Sequence, residues 1–453
     1  MTECTQSQFP FEAHFSRQVV AQFDGGQLST EGGAPLLRQV DRRIGLLRRV
    51  VGCFTDGRDP ERIEHPLEEM LAQRIHGLAL GYEDLNDHEE LRHDPLLALL
   101  AGKRELTTPL AGKSTLNRME LAPVGSPLTE RYHRISYSGE ALDALLVQIF
   151  LEAHSKPPRE VVLDLDVTDT PLHGEQEGRF FHGYYGHYCY LPLYIFCADH
   201  LLCAKLRPSN QDASAGSLEE VERIVAQMRA RWPKVRIVLR ADSGFCREEL
   251  MAWCETHGVH YVLGLARNAR LRRKIAREMR QAREEHRRTG KPARVFTELR
   301  YRTRNSWSRS RRVVAKAEYL EKGENPRYAV TSLPAGEWPA RELYEQCYCA
   351  RGEMENRIKE QFSLFSDRMS TETMRANQLR LYFSSLAYVL VHALRRLALA
   401  GTEWARAQVD TIRLRLLKIA AQVRVTARRI WIRYSRSYPW KHQFAAAWAA
   451  LRC

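Results

Sequence analysis

Apolar positions along this chain change their spacing twice, and each change marks a change of element type. Through the first third, APLLRQVDRRIGLLRRVVG, PLEEMLAQRIHGLALG, NDHEELRHDPLLALLAG and STLNRMELA repeat apolar residues at helical spacing between Gly, Pro, Asp and Asn breakers. This region is expected to be helical, after an extended start that turns at Asp24-Gly25-Gly26. EALDALLVQIFLEAH adds a further helix before the Lys156-Pro157-Pro158 linker. From Glu160 the alternation shortens to two, the period of a strand. VVLDLDV reads as a strand, and HGYYGHYCYLPLYIF with HLLCAKLRPS reads as an antiparallel hairpin joined at Ala198, Asp199 and His200. SLEEVERIVAQMRARW follows as an amphipathic helix capped by Ser217, then VRIVLRAD as a strand, REELMAWCETHG as a helix and VHYVLGLA as a strand. Farther on, ARVFTELRYRTRNSWSRSRRVVAKAEYL and RYAVTSLP have strand character. Helical spacing returns at residues 344–365, YEQCYCARGEMENRIKEQFSLF, and is expected to continue through MRANQLRLYFSSLAYVLVHALRRLAL and QVDTIRLRLLKIAAQVRVTARRIWIRY.

Composition adds a partner class. At 453 residues and 44% apolar the chain has material for two or three folded domains. Lys and Arg number 69 against 55 Asp and Glu, a net charge of +14, which points to a polyanion. No apolar run is long enough to span a bilayer, and the N-terminus lacks a signal-peptide pattern, so a cytoplasmic protein with no membrane partner is expected. The ten cysteines contain no CxxC pair, so neither structural zinc nor disulfides are expected.

The charge is unevenly spread. Between Arg267 and Arg312 there are 18 Lys and Arg against 4 Glu, with aromatics interleaved. Such a block is expected to grip phosphates, through Arg272, Arg273, Lys274, Arg309, Arg311 and Arg312, while Trp307, in a basic turn, reads either as a packing residue, the commoner case, or as a surface for stacking an unpaired base. On the helix of STLNRMELA, Lys113, Asn117 and Arg118 are residue types that a DNA-reading helix uses. From Arg406 to Lys441, ten basic residues stand against the single acid Asp410, a second candidate DNA contact.

Acids at three places in the chain, four residues in all, carry the candidate chemistry. Asp164 and Asp166 are two apart in a strand and share a face, where a cation or basic partner must compensate them. Asp242 stands where a second strand ends. On the helix at 344–365, Tyr348, Arg351, Glu355 and Lys359 share one stripe, a poor composition for a core face.

These segments resemble the DDE transposases of bacterial insertion sequences, in the ribonuclease H-like group with a β-strand insertion before the last acid. The resemblance is carried by LDLDVTDTPLHG at 163–174, LRADSGF at 239–245 and YCARGEMENRIKE at 348–360. It implies Asp166, Asp242 and Glu355 as catalytic metal-binding acids, with Asp164 the alternative for the first. Tyr348 and Arg351 match the family's Tyr, two residues, Arg, three residues, Glu, six residues, Lys signature. Phe362 stands where that Lys would be, and Lys359, one turn after Glu355, is its candidate substitute. Two Mg²⁺ ions roughly 4 Å apart, with Mn²⁺ as substitute, would activate a water or 3′-hydroxyl and compensate the leaving oxygen.

The implied architecture is α/β: a ribonuclease H-like catalytic core with a helical N-terminal domain, a β-rich basic insertion and a helical C-terminal tail. The expected segments are a DNA-binding region at 1–155, the core at 156–266, the insertion at 267–338, the end of the core at 339–400 and a basic region at 401–453. The implied activity is binding of double-stranded DNA at terminal inverted repeats, strand cleavage and transfer to target DNA, by cut-and-paste transposition. A homodimer on paired ends and a bacterial, nucleoid-associated location are implied with it. A stand-alone metal-dependent nuclease and a non-catalytic DNA-binding protein are the alternatives.

Overall fold

The computed structural model describes residues 8–121 and 132–452. The chain forms two compact units, Met1–Tyr137 with Leu386–Cys453, and Ser138–Ser385. The extended start is described from Gln8 onward, and residues 1–7 lie outside the described residues.

The first unit contains the helices Pro35–Ile44, Leu46–Val51, Leu67–Leu80, Pro95–Leu100 and Lys113–Glu120. Their apolar residues bury as the helical spacing requires, Leu36, Leu37 and Val40 on one side of the first helix. Phe9–His14 and Arg17–Ala21 pair as an antiparallel hairpin. The expected helical C-terminal tail is corrected here. Residues Ala421–Val425 and Ile430–Tyr434 form an antiparallel hairpin that also pairs with Gln27–Ser29. AQVRV and IWIRY alternate at period two and are rich in β-branched and aromatic residues, so they fit a pleated surface better than a helix. Thr426 closes the turn, its backbone N–H and hydroxyl both donating to the Arg429 carbonyl. A terminal helix, Lys441–Arg452, follows.

The second unit is built on a nine-stranded sheet. Eight strands form its main path: β1 (Glu160–Val167), β2 (Leu193–Cys197), β3 (His200–Lys205), β4 (Arg236–Ala241), β5 (His260–Leu265), β6 (Ala293–Tyr301), β7 (Arg311–Leu320) and β8 (Arg327–Thr331). Their spatial order is β3-β2-β1-β4-β5-β8-β7-β6, with the two-residue strand Gly323–Glu324 paired to β7. β1, β4 and β5 run parallel, and every other pairing on the path is antiparallel. The parallel strands need crossovers, supplied by α2 (Ser217–Arg231) before β4 and α3 (Glu248–Thr256) before β5, while α1 (Gly139–Glu152) precedes β1. Ser217 is the first residue inside α2 rather than its cap; Gly216, at φ 72°, takes the cap position.

Alternation within the strands divides the sheet into two faces. Leu163, Leu165, Leu239, Ala241 and Leu263 point into the larger core with Ile224 of α2 and Met251 of α3. Val238, Val262, Val314 and Ala329 point the other way, where Leu343, Tyr344 and Cys347 cover them. The basic insertion begins as helix, Ala269–Lys274 and Ala276–Thr289, and its strands β6, β7 and β8 extend the same sheet. A separate three-stranded sheet, Thr170–Pro171, Phe180–His182 and His187–Tyr190, grows from the end of β1. HGYYGHYCYLPLYIF is thus two strands of different sheets, broken at Leu191-Pro192, and only its second part pairs with β3.

Candidate active site

Strand register places the first two acids side by side. Leu165 of β1 pairs with Ala241 of β4, which pairs with Leu263 of β5. One residue beyond come Asp166, Asp242 and Gly264. The third acid arrives on the segment that covers this face. Residues 340–362 are helical throughout, with a π-helical turn over Leu343–Tyr348, a 3-10 turn over Cys349–Arg351 and then α4 (Gly352–Phe362). π-turns widen a helix and recur where a side chain must be re-aimed. Here Leu343, Tyr344 and Cys347 bury into the sheet face, and α4 is anchored by Met354 and Ile358. Phe362 and Phe365 are half-buried.

Arg351 joins the acids. Its Nη1 donates to Asp166 Oδ2 at 2.8 Å, and its Nη2 lies 3.8 Å from Glu355 Oε1. The Asp166 carboxyl is pushed up to about 6. Burial is the largest cause, opposed by Arg351 and the Val167 N–H and reinforced by the charges of Asp242 and Glu355. Asp166 is thus a buried carboxylate with one guanidinium and two further acids around it. Asp242 Oδ1 accepts from the Gly244 N–H at 2.8 Å, which fixes the turn after β4. Glu355 is 57% exposed, open to solvent on the outer side of the cluster.

Two residues not singled out from the sequence hold this arrangement. Arg240 donates from Nε and Nη2 to the two oxygens of Asp164, at 2.5 and 2.7 Å, and from Nη1 to the Cys347 carbonyl at 2.6 Å. It ties β1, β4 and the π-turn together, and it takes Asp164 as an internal ion-pair partner. Gly264 is the second. A Cβ there would stand about 2.5 Å from the Tyr348 hydroxyl, 2.8 Å from the Ser243 nitrogen and 3.0 Å from the Asp242 carbonyl carbon. An isolated glycine within the apolar alternation of VHYVLGLA was its signal, since such a glycine marks close approach of another group.

The remaining expected positions are dispersed. Lys359 is exposed, and its ammonium makes no ion pair among the described residues. Trp307 does not present a stacking surface: it is 4% exposed, edge-on to Tyr301, with the Arg311 guanidinium 5.4 Å from its ring. Arg311 and Arg312 are buried too. Arg311 pairs with Glu248 and Glu255, and Arg312 with Glu298, because a guanidinium inside a sheet must find carboxylates or carbonyls. Arg309 is exposed but also pairs with Glu255. Arg272 pairs with Glu324, whereas Arg273 and Lys274 are exposed and, among the described residues, without carboxylate partners; Arg272, Arg273, Arg280 and Arg283 line a groove of about 620 Å³. Lys113, Asn117 and Arg118 are exposed, with Lys113 Nζ donating to Asn86.

Among the described residues, no helix is long and apolar enough to cross a membrane. No group of three or more His, Cys, Asp or Glu among them is gathered closely enough to hold a metal ion.

No curated protein matches the chain. A solved structure, a piggyBac transposase synaptic complex with hairpin DNA, is similar over 84% of this chain and 78% of its own, at 10% identity and a TM-score of 0.42, a likeness too distant to carry an argument. The family described as transposase DDE domain group 1 matches residues 11–453. That match takes in all three acids and both units, and on it the chain is a member of the DDE transposase family.

Proposed function

We propose that this protein is a DNA transposase of the cut-and-paste kind, acting at the ends of a bacterial insertion sequence through a ribonuclease H-like core. The observation that supports it most is the junction of Asp166 and Asp242 at the ends of neighbouring parallel strands, with Glu355 held toward them through Arg351. Open α/β sheets place their ligands beyond the carboxyl ends of their strands, and both aspartates are there.

DDE transposases use divalent metal ions, and the donor chemistry here suits a hard one. The Asp166 carboxyl is raised to about 6 by burial first and by two further acids after it, a setting that a cation would relieve, and oxygen donors favour Mg²⁺ or Mn²⁺ over softer metals. Asp166, Asp242 and Glu355 would hold it only once Arg351 releases Asp166 and the three acids draw together, since as they stand they are not gathered closely enough for a metal ion. When bound, such a metal activates the attacking oxygen and compensates charge on the leaving one. Asp164, with both oxygens engaged by Arg240, is left as a positioning residue, which favours Asp166 as the first ligand.

In the reaction, a water oxygen attacks the phosphorus in line, the bond to the 3′ oxygen breaks, and the freed 3′-hydroxyl attacks a target phosphodiester in the same way. Arg351 turns from Asp166 and Glu355 toward the phosphate, and Tyr348 stands beside Asp242 to orient it. The basic groove lined by Arg273 and Arg280 takes the DNA backbone, and a homodimer brings two ends together. A plasmid carrying the DNA that flanks the gene tests this reading. Cleavage at inverted repeats followed by joining to a second plasmid is expected with Mg²⁺. Cleavage with no joining would instead establish the stand-alone nuclease.

A further inference from the structure

The small sheet that grows from the end of β1 exposes aromatic rings that no internal role explains. Tyr184 is 87% exposed, Phe181 57%, Tyr188 45% and Phe180 41%. They occupy a tight hairpin whose tip is closed by the Gly186 N–H donating to the His182 carbonyl, with Gly186 at φ 76°. Folding gains nothing from leaving four large rings in water, and apolar surface clustered in this way marks a contact.

The hairpin's position says what kind of contact. Three residues after Asp166, Asp169 accepts from His187 at 2.8 Å and so holds the hairpin to the strand that carries the first catalytic acid. Tyr185, behind the tip, lies within electrostatic reach of both Asp169 and Asp166. Its ring packs 5.1 Å edge-on to Tyr184 and 4.9 Å from His182, so the exposed ring rests on a stiff aromatic base. The Arg179 guanidinium sits 4.8 Å over Tyr188 on the same surface, paired at 3.2 Å with the exposed Glu175, which a phosphate would have to displace. Exposed rings, an adjacent guanidinium and a phosphodiester-cleaving site a few residues away are together what an unpaired nucleotide requires: a flat face for the base and a cation for its phosphate.

We propose that the hairpin Phe180–Tyr190 is a stacking platform for an unpaired DNA base next to the cleaved strand, with Tyr184 and Phe181 as the contact rings. This rests on the transposase reading above. It moves base stacking from Trp307, which is buried, to a hairpin on the other side of Asp166 in sequence. Any DNA end that is opened for cleavage presents unpaired bases, and stacking on aromatic side chains accepts every base type.

The test uses the full-length chain and two fluorescent probes of about 16 nucleotides, an oligothymidine and a duplex, with 5-iodouracil placed in the oligothymidine for photocrosslinking. Tyr184 makes no side-chain hydrogen bond among the described residues and is 87% exposed, so Tyr184→Ala is expected to leave the fold intact, which circular dichroism checks. The expected result is a crosslink within residues 180–190. Tyr184→Ala should weaken oligothymidine binding about tenfold and leave duplex binding within about twofold, and Tyr184→Trp should restore it. Unchanged oligothymidine affinity, or crosslinks only elsewhere, overturns the platform while leaving the transposase reading in place. Loss of self-association in Tyr184→Ala with unchanged DNA binding also overturns it, assigning the rings to a second copy of the chain. If the unaltered chain binds neither probe, the transposase reading fails with it.

Discussion

Gly264 decides how closely Tyr348 and Asp242 can approach one another. The nearest atoms to an added methyl include the Ser243 nitrogen and the Asp242 carbonyl carbon, backbone that cannot rotate away as a side-chain end can. Gly264→Ala should cost about 1–3 kcal/mol of stability by overpacking and shift the turn that aims Asp242. Thermal melting reads the first effect and DNA cleavage the second; a variant with unaltered melting and cleavage would show that the close approach is not needed. Arg240 is a different kind of constraint. It holds both Asp164 oxygens and a carbonyl of the π-turn, so Arg240→Met should strand a buried carboxylate at a cost of about 3–5 kcal/mol. Restoring the balance with Asp164→Asn in the same chain should recover part of that loss, a coupling that a double-mutant cycle measures. The positions of the three acids, two near strand ends and one on a helical stripe, were legible in the sequence, but their selection as a set came from the resemblance. Gly264 and Arg240 were not singled out, because their work depends on which segment lies across the sheet, and local periodicity does not encode that.

At the scale of elements, the insertion shows the limit of reading charge from sequence. A dense run of arginines fits a DNA grip equally whether its side chains face water or the interior. The alternation of β7 sends Arg311 inward, where Glu248 and Glu255 meet it. Burial alone would raise the Glu255 carboxyl, but donation from Arg311, Tyr261 and Arg309 holds it at about 2, below its ordinary 4.5. The sign follows from linkage: a depressed carboxyl stabilises the folded chain above its unfolded value and loses that contribution as pH falls through the folded one. Thermal stability should therefore decline between pH 4.5 and about 2, and Arg311→Ala should both lower stability by about 3–5 kcal/mol near neutrality and flatten that acid limb. An acid limb of unchanged steepness in the variant would remove Glu255 from the account. The C-terminal hairpin teaches the converse lesson. Its leucine-rich approach, TIRLRLLKI, has helical spacing, but that spacing stops short of AQVRV and IWIRY, whose alternation is that of strands. The π-turn at Leu343–Tyr348 leaves no mark in the sequence, because a one-residue widening leaves the apolar pattern of the helix nearly unchanged.

For the whole molecule, the strands and helices of the second unit were readable in order, since each is short, strongly patterned and punctuated by Gly, Asp or Pro. Their spatial order was not readable from any one of them. It follows from the parallel pairing of β1 with β4 and β4 with β5, contacts between segments about 76 residues apart in the first case. That pairing is what places Asp166 beside Asp242, and the account of function depends on it. The measurement that tests it most directly is DNA cleavage by four single variants: Asp166→Asn, Asp242→Asn, Glu355→Gln and Asp164→Asn. Binding to duplex DNA is followed for each as a control. The first three should cleave at least about 100-fold more slowly with duplex binding retained. Asp164→Asn should lower thermal stability while keeping measurable cleavage. Near-normal cleavage by any of the first three, or complete loss confined to Asp164→Asn, would contradict the assignment.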